Sequence, residues 1–122
     1  ELRGIPITME LAKMAFASIL QEQKRGLTVE DVLRIVADHY NLTTRDLKSE
    51  TRVKTVARPR QVAMYLSRKV LGSGYVEIGK AFGNRDHSTV IHGEQTVKHL
   101  MEENADFKSE VCRLETYINS SQ

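Results

Sequence analysis

The stretch that decides the fold is EIGKAFGNRDHSTV, residues 77–90. Its order predicts a short helix, a turn containing Gly83 and Asn84, and a second helix that opens at Asp86, a residue type that favours helix N-termini. This is the layout of a helix-turn-helix. Taken alone, the pattern also describes helical corners in proteins that never contact DNA, so the rest of the chain must decide between these interpretations.

The second helix, predicted over about residues 86–104, has two different faces at about 100° per residue. The apolar face comprises Val90, Gly93, Val97 and Met101. The opposite face is polar and largely uncharged, and comprises Ser88, His92, Gln95 and His99. An ordinary solvated face would carry more Lys and Glu, whereas these hydrogen-bonding side chains suit the base edges of a major groove. The pattern favours a recognition helix that leads with its N-terminal turn.

The remainder of the chain is predicted to be all α-helical, because apolar residues recur at three- and four-residue spacing and only two prolines occur. Thr28 and Thr43 are each followed three residues later by Asp, which resembles a capping box at the start of a helix. Residues 48–56 are predicted to form a loop, and Pro59 to lie in the first turn of a helix that ends near Leu71. A last amphipathic helix is defined by Phe107, Val111, Leu114 and Ile118.

The positive charge is concentrated in the middle of the chain, although the formal net charge is only +2. Residues 48–69 contain a single acidic residue, Glu50, against seven basic ones: Lys48, Arg52, Lys54, Arg58, Arg60, Arg68 and Lys69. Such a run is often a solvated helix face. Because it precedes the helix-turn-helix pattern, it also fits a surface for a polyanion.

Other functional classes have little support in the sequence. No apolar run approaches the roughly 20 residues of a membrane span, and the lone Cys112 provides neither an internal disulfide nor a Cys-rich zinc site, as expected in a reducing cytosol. His92 and His99 are too far apart along one helix to bind one metal ion, so no metal site is expected. An enzyme is not expected either, because Asp86 and His87, which are adjacent acid–base candidates, should point apart on a helix.

Several short motifs together resemble the C-terminal DNA-binding domain of the DnaA family of bacterial chromosomal replication initiators. They are residues 57–61 (ARPRQ), 77–79 (EIG), 82–83 (FG) and 85–90 (RDHSTV), with His92. The resemblance covers residues 27–114 and implies an all-α helix-turn-helix domain at 27–122 with a basic loop. Residues 1–26 are similar to the end of that family's AAA+ lid and its linker helix. The start at Glu1 rather than Met indicates a piece of a longer protein.

The resemblance also implies a function and its residues. The domain is expected to bind double-stranded DNA at DnaA boxes of the replication origin, with the recognition helix in the major groove and the basic loop in the minor groove. The implied base contacts are Arg85, Asp86, His87 and Thr89, with Lys54 at the minor-groove position where the family usually has Arg. The implied backbone contacts are Arg52, Arg58, Arg60, Gln61, Lys69, Ser88 and His92.

The same resemblance sets expectations for partners and location. The AAA+ module of the same chain and other DnaA protomers are expected partners of the full-length protein, which would work in the cytoplasm at the nucleoid. ATP is expected to bind the full-length protein, whereas no cofactor is expected in this fragment. The alternative from the residues alone is a helical adaptor module that holds a protein partner on the stripe from Phe107 to Ile118.

Overall fold

The computed structural model describes residues 27–121, which form six helices and no strand. In chain order the helices are α1 (Val29–His39), α2 (Thr44–Lys48), α3 (Lys54–Leu71), α4 (Tyr75–Ala81), α5 (His87–Glu103) and α6 (Ala105–Ser121). The all-α prediction is confirmed for this part of the chain. The expected lid segment and linker helix of residues 1–26 lie outside the described residues.

Helices α1 and α2 begin where the two Thr-x-x-Asp patterns predict. The Thr28 backbone N–H donates to the Asp31 carboxylate at 2.7 Å. At α2 both hydrogen bonds of a capping box are present. The Thr43 N–H donates to the Asp46 carboxylate at 3.0 Å, and the Asp46 N–H donates to the Thr43 hydroxyl at 3.1 Å. These bonds satisfy backbone donors that a helix N-terminus otherwise leaves free.

Helix α3 begins earlier than the sequence predicts. Pro59 is its sixth residue and is buried, so the prediction that Pro59 lies in the first turn is wrong. The backbone N–H groups of Val56 and Ala57 donate to the Val53 carbonyl at 2.9 and 2.7 Å, which begins the helix before the proline. The basic loop that the resemblance implies therefore shortens to residues 49–53, in which Arg52 is the one cation and Glu50 the one carboxylate, and Lys54 becomes helical.

Helix α3 lies at the centre of the domain and packs against each of the other five helices. Residues 62–67 are buried without interruption, as expected of a helix surrounded by others. Its crossing with α5 is close at Gly93, where an added Cβ would lie 3.1 Å from the Met64 sulfur. This packing holds the polar face of α5 outward.

The turn between α4 and α5 depends on a close approach of two backbone segments. The Arg85 N–H donates to the Gly79 carbonyl at 2.8 Å, and a Cβ on Gly79 would lie only 2.2 Å from the Arg85 carbonyl oxygen. Gly83 has φ +84°, which favours glycine, and a Cβ there would lie 2.6 Å from the Lys48 carbonyl oxygen. The helix-turn-helix corner therefore requires glycine at both positions.

A buried carboxylate joins α4 to α5. The Glu94 side chain is only 9% exposed, and its Oε1 accepts a hydrogen bond from the Tyr75 hydroxyl at 2.8 Å. Arg68 of α3 lies over the Tyr75 ring, with its guanidinium carbon 4.5 Å from the ring centroid. Since an unsatisfied buried carboxylate is costly, these contacts fix the angle between the two helices.

Helix α6 closes the core with the apolar stripe that the sequence predicts. Val111, Leu114 and Ile118 are buried against the other helices, and Phe107 is partly buried. Within residues 27–121, no helix combines the length and the apolarity that a membrane span needs.

We expect Gly79→Ala to destabilise the domain by about 3 kcal/mol, because the new methyl group would collide with the backbone carbonyl of Arg85. Alanine is favoured over glycine inside helices by about 1 kcal/mol, so a net loss of stability is due to the collision. Urea unfolding followed by circular dichroism measures the change. The matched control is Gly74→Ala, where a Cβ meets nothing within 4 Å, and an equal loss in both variants would contradict this explanation.

Candidate nucleic-acid interface

The N-terminal turn of α5 projects from the domain. The four residues Asp86, His87, Ser88 and Thr89 are all exposed, with 67% of the Asp86 side chain and 58% of the His87 side chain accessible. Farther along the helix, His92, Gln95 and His99 are exposed as well, whereas Val90, Gly93 and Val97 are buried. The two faces predicted for this helix are therefore confirmed.

Asp86 organises the tip of α5 through its carboxylate. Oδ2 accepts a hydrogen bond from the Ser88 hydroxyl at 2.6 Å, and Oδ1 lies 3.1 Å from Nδ1 of His87. The Ser88 hydrogen bond and the neighbouring His87 lower the pKa of Asp86. The expectation that Asp86 and His87 point apart is wrong, because Asp86 precedes the helix in an extended conformation with ψ 148° and folds its side chain back.

Arg85 and Arg60 converge on the start of the basic loop. Arg60 is only 6% exposed, and it donates from Nε to the Leu47 carbonyl at 2.8 Å and from Nη2 to the Ser49 carbonyl at 2.9 Å. Arg85 also donates from Nη2 to the Ser49 carbonyl. Burial, followed by the charge of Arg85, lowers the pKa of Arg60. Two guanidinium groups thus share one backbone oxygen.

A polar cleft of about 350 Å³ separates the basic loop from the helix-turn-helix corner. Its lining residues are Glu50, Arg52, Arg60, Gly83, Asn84 and Arg85. Three guanidinium groups face a single carboxylate there, so the cleft has a net positive charge. Arg85 Nε is buried and has no hydrogen-bond partner among the described residues, so this donor is unsatisfied.

The other basic candidates lie outside this cleft. Lys54 is the exposed first residue of α3, and Arg58 is partly buried, with its Nη1 also lacking a partner within residues 27–121. Lys69 faces α6, where its ammonium group lies 3.3 Å from the Glu115 carboxylate; that hydrogen bond raises the pKa of Lys69. Gln61 packs at the α3–α5 crossing, with its Cγ 3.4 Å from where a Cβ on Gly93 would be.

The sequence interpretation missed Ser49 and Glu94. A signal existed for Glu94, because it lies four residues after Val90 and three before Val97 on the face assigned to the core. A carboxylate at such a position requires a buried partner, here Tyr75. No sequence signal identifies Ser49, since its backbone carbonyl rather than its side chain binds the two arginines.

Residues 27–121 contain no group of three His, Cys, Asp or Glu side chains placed to bind a metal ion. His99 instead forms a surface pair with Glu103, with 3.1 Å between Nε2 and the carboxylate. His39 forms a similar pair with Glu110 at 3.3 Å.

Comparisons with known proteins agree with this geometry. Residues 29–97 match the family described as the bacterial dnaA protein helix-turn-helix. The chain is 41% identical over 120 residues to the chromosomal replication initiator protein DnaA of Bdellovibrio bacteriovorus, covering 98% of this chain and 25% of that protein. The chain thus spans about a quarter of the length of this relative. It also resembles a crystal structure of a DNA replication initiation factor, with a TM-score of 0.71, 29% identity, and coverage of 92% of this chain and 34% of the other.

We expect Ser88→Ala to raise the pKa of Asp86 towards its ordinary value, because the hydroxyl that stabilises the carboxylate is lost. A lowered folded-state pKa stabilises the protein above the unfolded pKa, and this stabilisation disappears as the pH falls through the folded pKa. In Ser88→Ala the stabilisation should therefore be smaller, and its loss on acidification should be complete at a higher pH. A carbon-detected NMR titration of the Asp86 carboxyl measures the shift, and Ser88→Thr, which keeps the hydroxyl, should retain the low value.

Proposed function

Because the chain belongs to the bacterial DnaA helix-turn-helix family, we propose that residues 27–122 form a domain that binds double-stranded DNA in replication initiation and recognises DnaA boxes at the origin. One observation carries this proposal: the exposed tip of α5 lies beside a cationic cleft and a basic loop. Helix tips of this kind enter major grooves, and cations beside them neutralise phosphates.

We place the tip of α5 in the major groove, where each side chain has a suitable partner. Arg85 donates to guanine, and Asp86 accepts from the cytosine amine. The Asp86 carboxylate is ionised at neutral pH, as an ordinary Asp is, and can therefore accept; its lowered pKa extends this to more acidic solutions. His87 bonds a base edge, and Thr89 supplies a methyl group and a hydroxyl to the neighbouring base. Each good bidentate contact adds about 1 to 3 kcal/mol of discrimination.

We propose a different cation for the minor groove from the one that the sequence resemblance implies. The sequence resemblance places Lys54 there, but Lys54 begins α3, whereas Arg52 lies within the basic loop and lines the same cleft as Arg85. We infer that a loop side chain which shares a cleft with Arg85 can reach the groove next to the one proposed for α5. We therefore propose that Arg52 enters the minor groove and that Lys54 contacts the adjoining backbone.

The remaining candidate DNA contacts contribute to affinity rather than to sequence specificity. We propose backbone contacts from Arg58, Gln61, Ser88 and His92, and we give Lys69 a smaller part because it already pairs with Glu115. With about three to four cations neutralising phosphates, affinity should fall roughly 40- to 150-fold between about 50 and 200 mM salt. Contacts of this kind set the position of the domain on the duplex.

The complete protein is proposed to have the wider roles expected of the family. Residues 1–26 would join this domain to an AAA+ module that binds ATP, and other protomers would assemble with it at the origin, in the cytoplasm. The apolar stripe that an adaptor would use to bind a partner is not exposed, because Val111, Leu114 and Ile118 are buried in this domain's own core. No specific observation favours it.

A fluorescence anisotropy titration with a labelled DnaA-box duplex and a scrambled duplex tests the proposal. At two salt concentrations we expect tighter binding to the box by about a thousandfold or more, the usual lower range for specific recognition. Both affinities should fall as salt rises. Equal affinity for the two duplexes would contradict box recognition, and no binding at low salt would contradict DNA binding itself.

We expect His87→Ala to reduce the preference for the box by roughly tenfold to a hundredfold while sparing most binding to scrambled DNA, because one base contact is lost. The matched control is His99→Ala, the same substitution at another exposed position about 18 Å farther along the helix. Parallel titrations of both variants measure the effect. A comparable loss in the two would show that the tip of α5 has no special role.

Arg52→Ala should weaken box binding more than Lys54→Ala does, although each removes one exposed positive charge. The reason is that Arg52 lies in the basic loop and lines the cleft with Arg85, whereas Lys54 is the first residue of α3 and does not line that cleft. Equilibrium titrations at constant salt measure the difference, and Arg52→Lys should recover only part of the loss because the planar fork is absent. A larger loss from Lys54→Ala would restore the assignment made from the sequence.

A further inference from the structure

The Ser49 carbonyl connects three separate parts of the chain. It ends α2 and begins the basic loop, and it accepts hydrogen bonds from Arg60 of α3 and from Arg85, which precedes α5. The Arg60 guanidinium also holds the Leu47 carbonyl at 2.8 Å. Arg52 lies only three residues after Ser49, so the hydrogen bonds to the Ser49 carbonyl hold the start of the loop close to Arg52.

The burial of Arg60 distinguishes it from the other arginines of the cleft. Arg60 is 6% exposed, and two of its three guanidinium nitrogens donate to backbone carbonyls. Arg52, by contrast, is exposed. A phosphate contact requires a guanidinium group that reaches solvent. A buried guanidinium group that already donates two hydrogen bonds to backbone carbonyls instead holds that backbone in place. The burial of Arg60 therefore distinguishes a contact to the protein backbone from a contact to a DNA phosphate, which the sequence alone could not do.

We propose that Arg60 is a positioning residue for sequence reading rather than a phosphate contact. Through the Ser49 carbonyl it fixes the spacing between Arg52 in the basic loop and the Arg85–Asp86 tip of α5. A protein that reads two adjacent grooves needs this spacing to match the duplex, because misplaced side chains lose their hydrogen bonds. The inference rests on the proposed function, since it concerns how the same interface is held.

The first test compares Arg60→Lys and Arg60→Ala in titrations of box and scrambled duplexes over a range of salt. Lys keeps the charge but cannot hold two carbonyls as a fork. We expect both variants to lose preference for the box by roughly tenfold, the size of one lost base contact. The salt dependence of affinity should remain that of the wild type in both. Recovery by Lys, or a slope reduced by about one in Arg60→Ala, would show a phosphate contact and overturn the proposal.

The second test is a double-mutant cycle between Arg60→Lys and Arg52→Ala. If Arg60 acts by placing the loop, Arg52→Ala should cost roughly 2- to 10-fold less in the Arg60→Lys background. The control cycle pairs Arg60→Lys with Lys69→Ala, which faces α6 and should be additive. Additivity in both cycles would overturn the proposal.

Thermal unfolding of each variant completes the experiment. We expect both Arg60 variants to be folded at the temperature of the titrations. If neither folds, Arg60 serves the core instead of the loop, and the proposal is overturned. If the wild-type protein binds both duplexes equally, the proposed function is rejected. If the wild-type protein prefers the box and Arg60→Lys keeps that preference, only the proposed role of Arg60 is rejected.

Discussion

The architecture depends on the contact between the backbone of Gly79 and that of Arg85. With 2.8 Å between the Gly79 carbonyl and the Arg85 N–H, and no room for a Cβ on Gly79, the chain reverses tightly between α4 and α5. This reversal fixes where α5 begins and which side of it faces outward. The tip that carries Asp86 and His87 is exposed because the chain turns at this point and not one residue later.

Buried polar groups then set the orientation of the parts that the turn brings together. The Tyr75–Glu94 hydrogen bond holds α4 against α5, and the Arg60 guanidinium holds the end of α2 and the start of the basic loop. Hydrophobic contacts are non-directional, so they stabilise the core without choosing between small shifts of one helix against another. Hydrogen bonds to buried acceptors are directional and make such shifts costly.

The arrangement of charge follows from the same contacts. Arg52, Arg60 and Arg85 come from three separate places in the chain, yet all three line one cleft. Their mutual repulsion is tolerated because Arg60 and Arg85 share the Ser49 carbonyl and Glu50 lies nearby. A polyanion would add the negative charge that the cleft lacks, which is the physical basis for assigning this face to DNA.

The sequence by itself determined the helices, their caps and the exposed face of α5, because these follow from local periodicity and from hydrogen bonds between residues three apart. It also identified the helix-turn-helix corner from the short helix, the turn at Gly83 and Asn84 and the helix start at Asp86, whereas the need for glycine at Gly79 and Gly83 is visible only in the structure. Only the tertiary structure decided that α3 begins before Pro59, that Lys54 is helical, and that Arg60 is buried. Those outcomes depend on backbone carbonyls, such as that of Ser49. Every residue type has the same backbone carbonyl, so the sequence cannot indicate which carbonyl will bind an arginine.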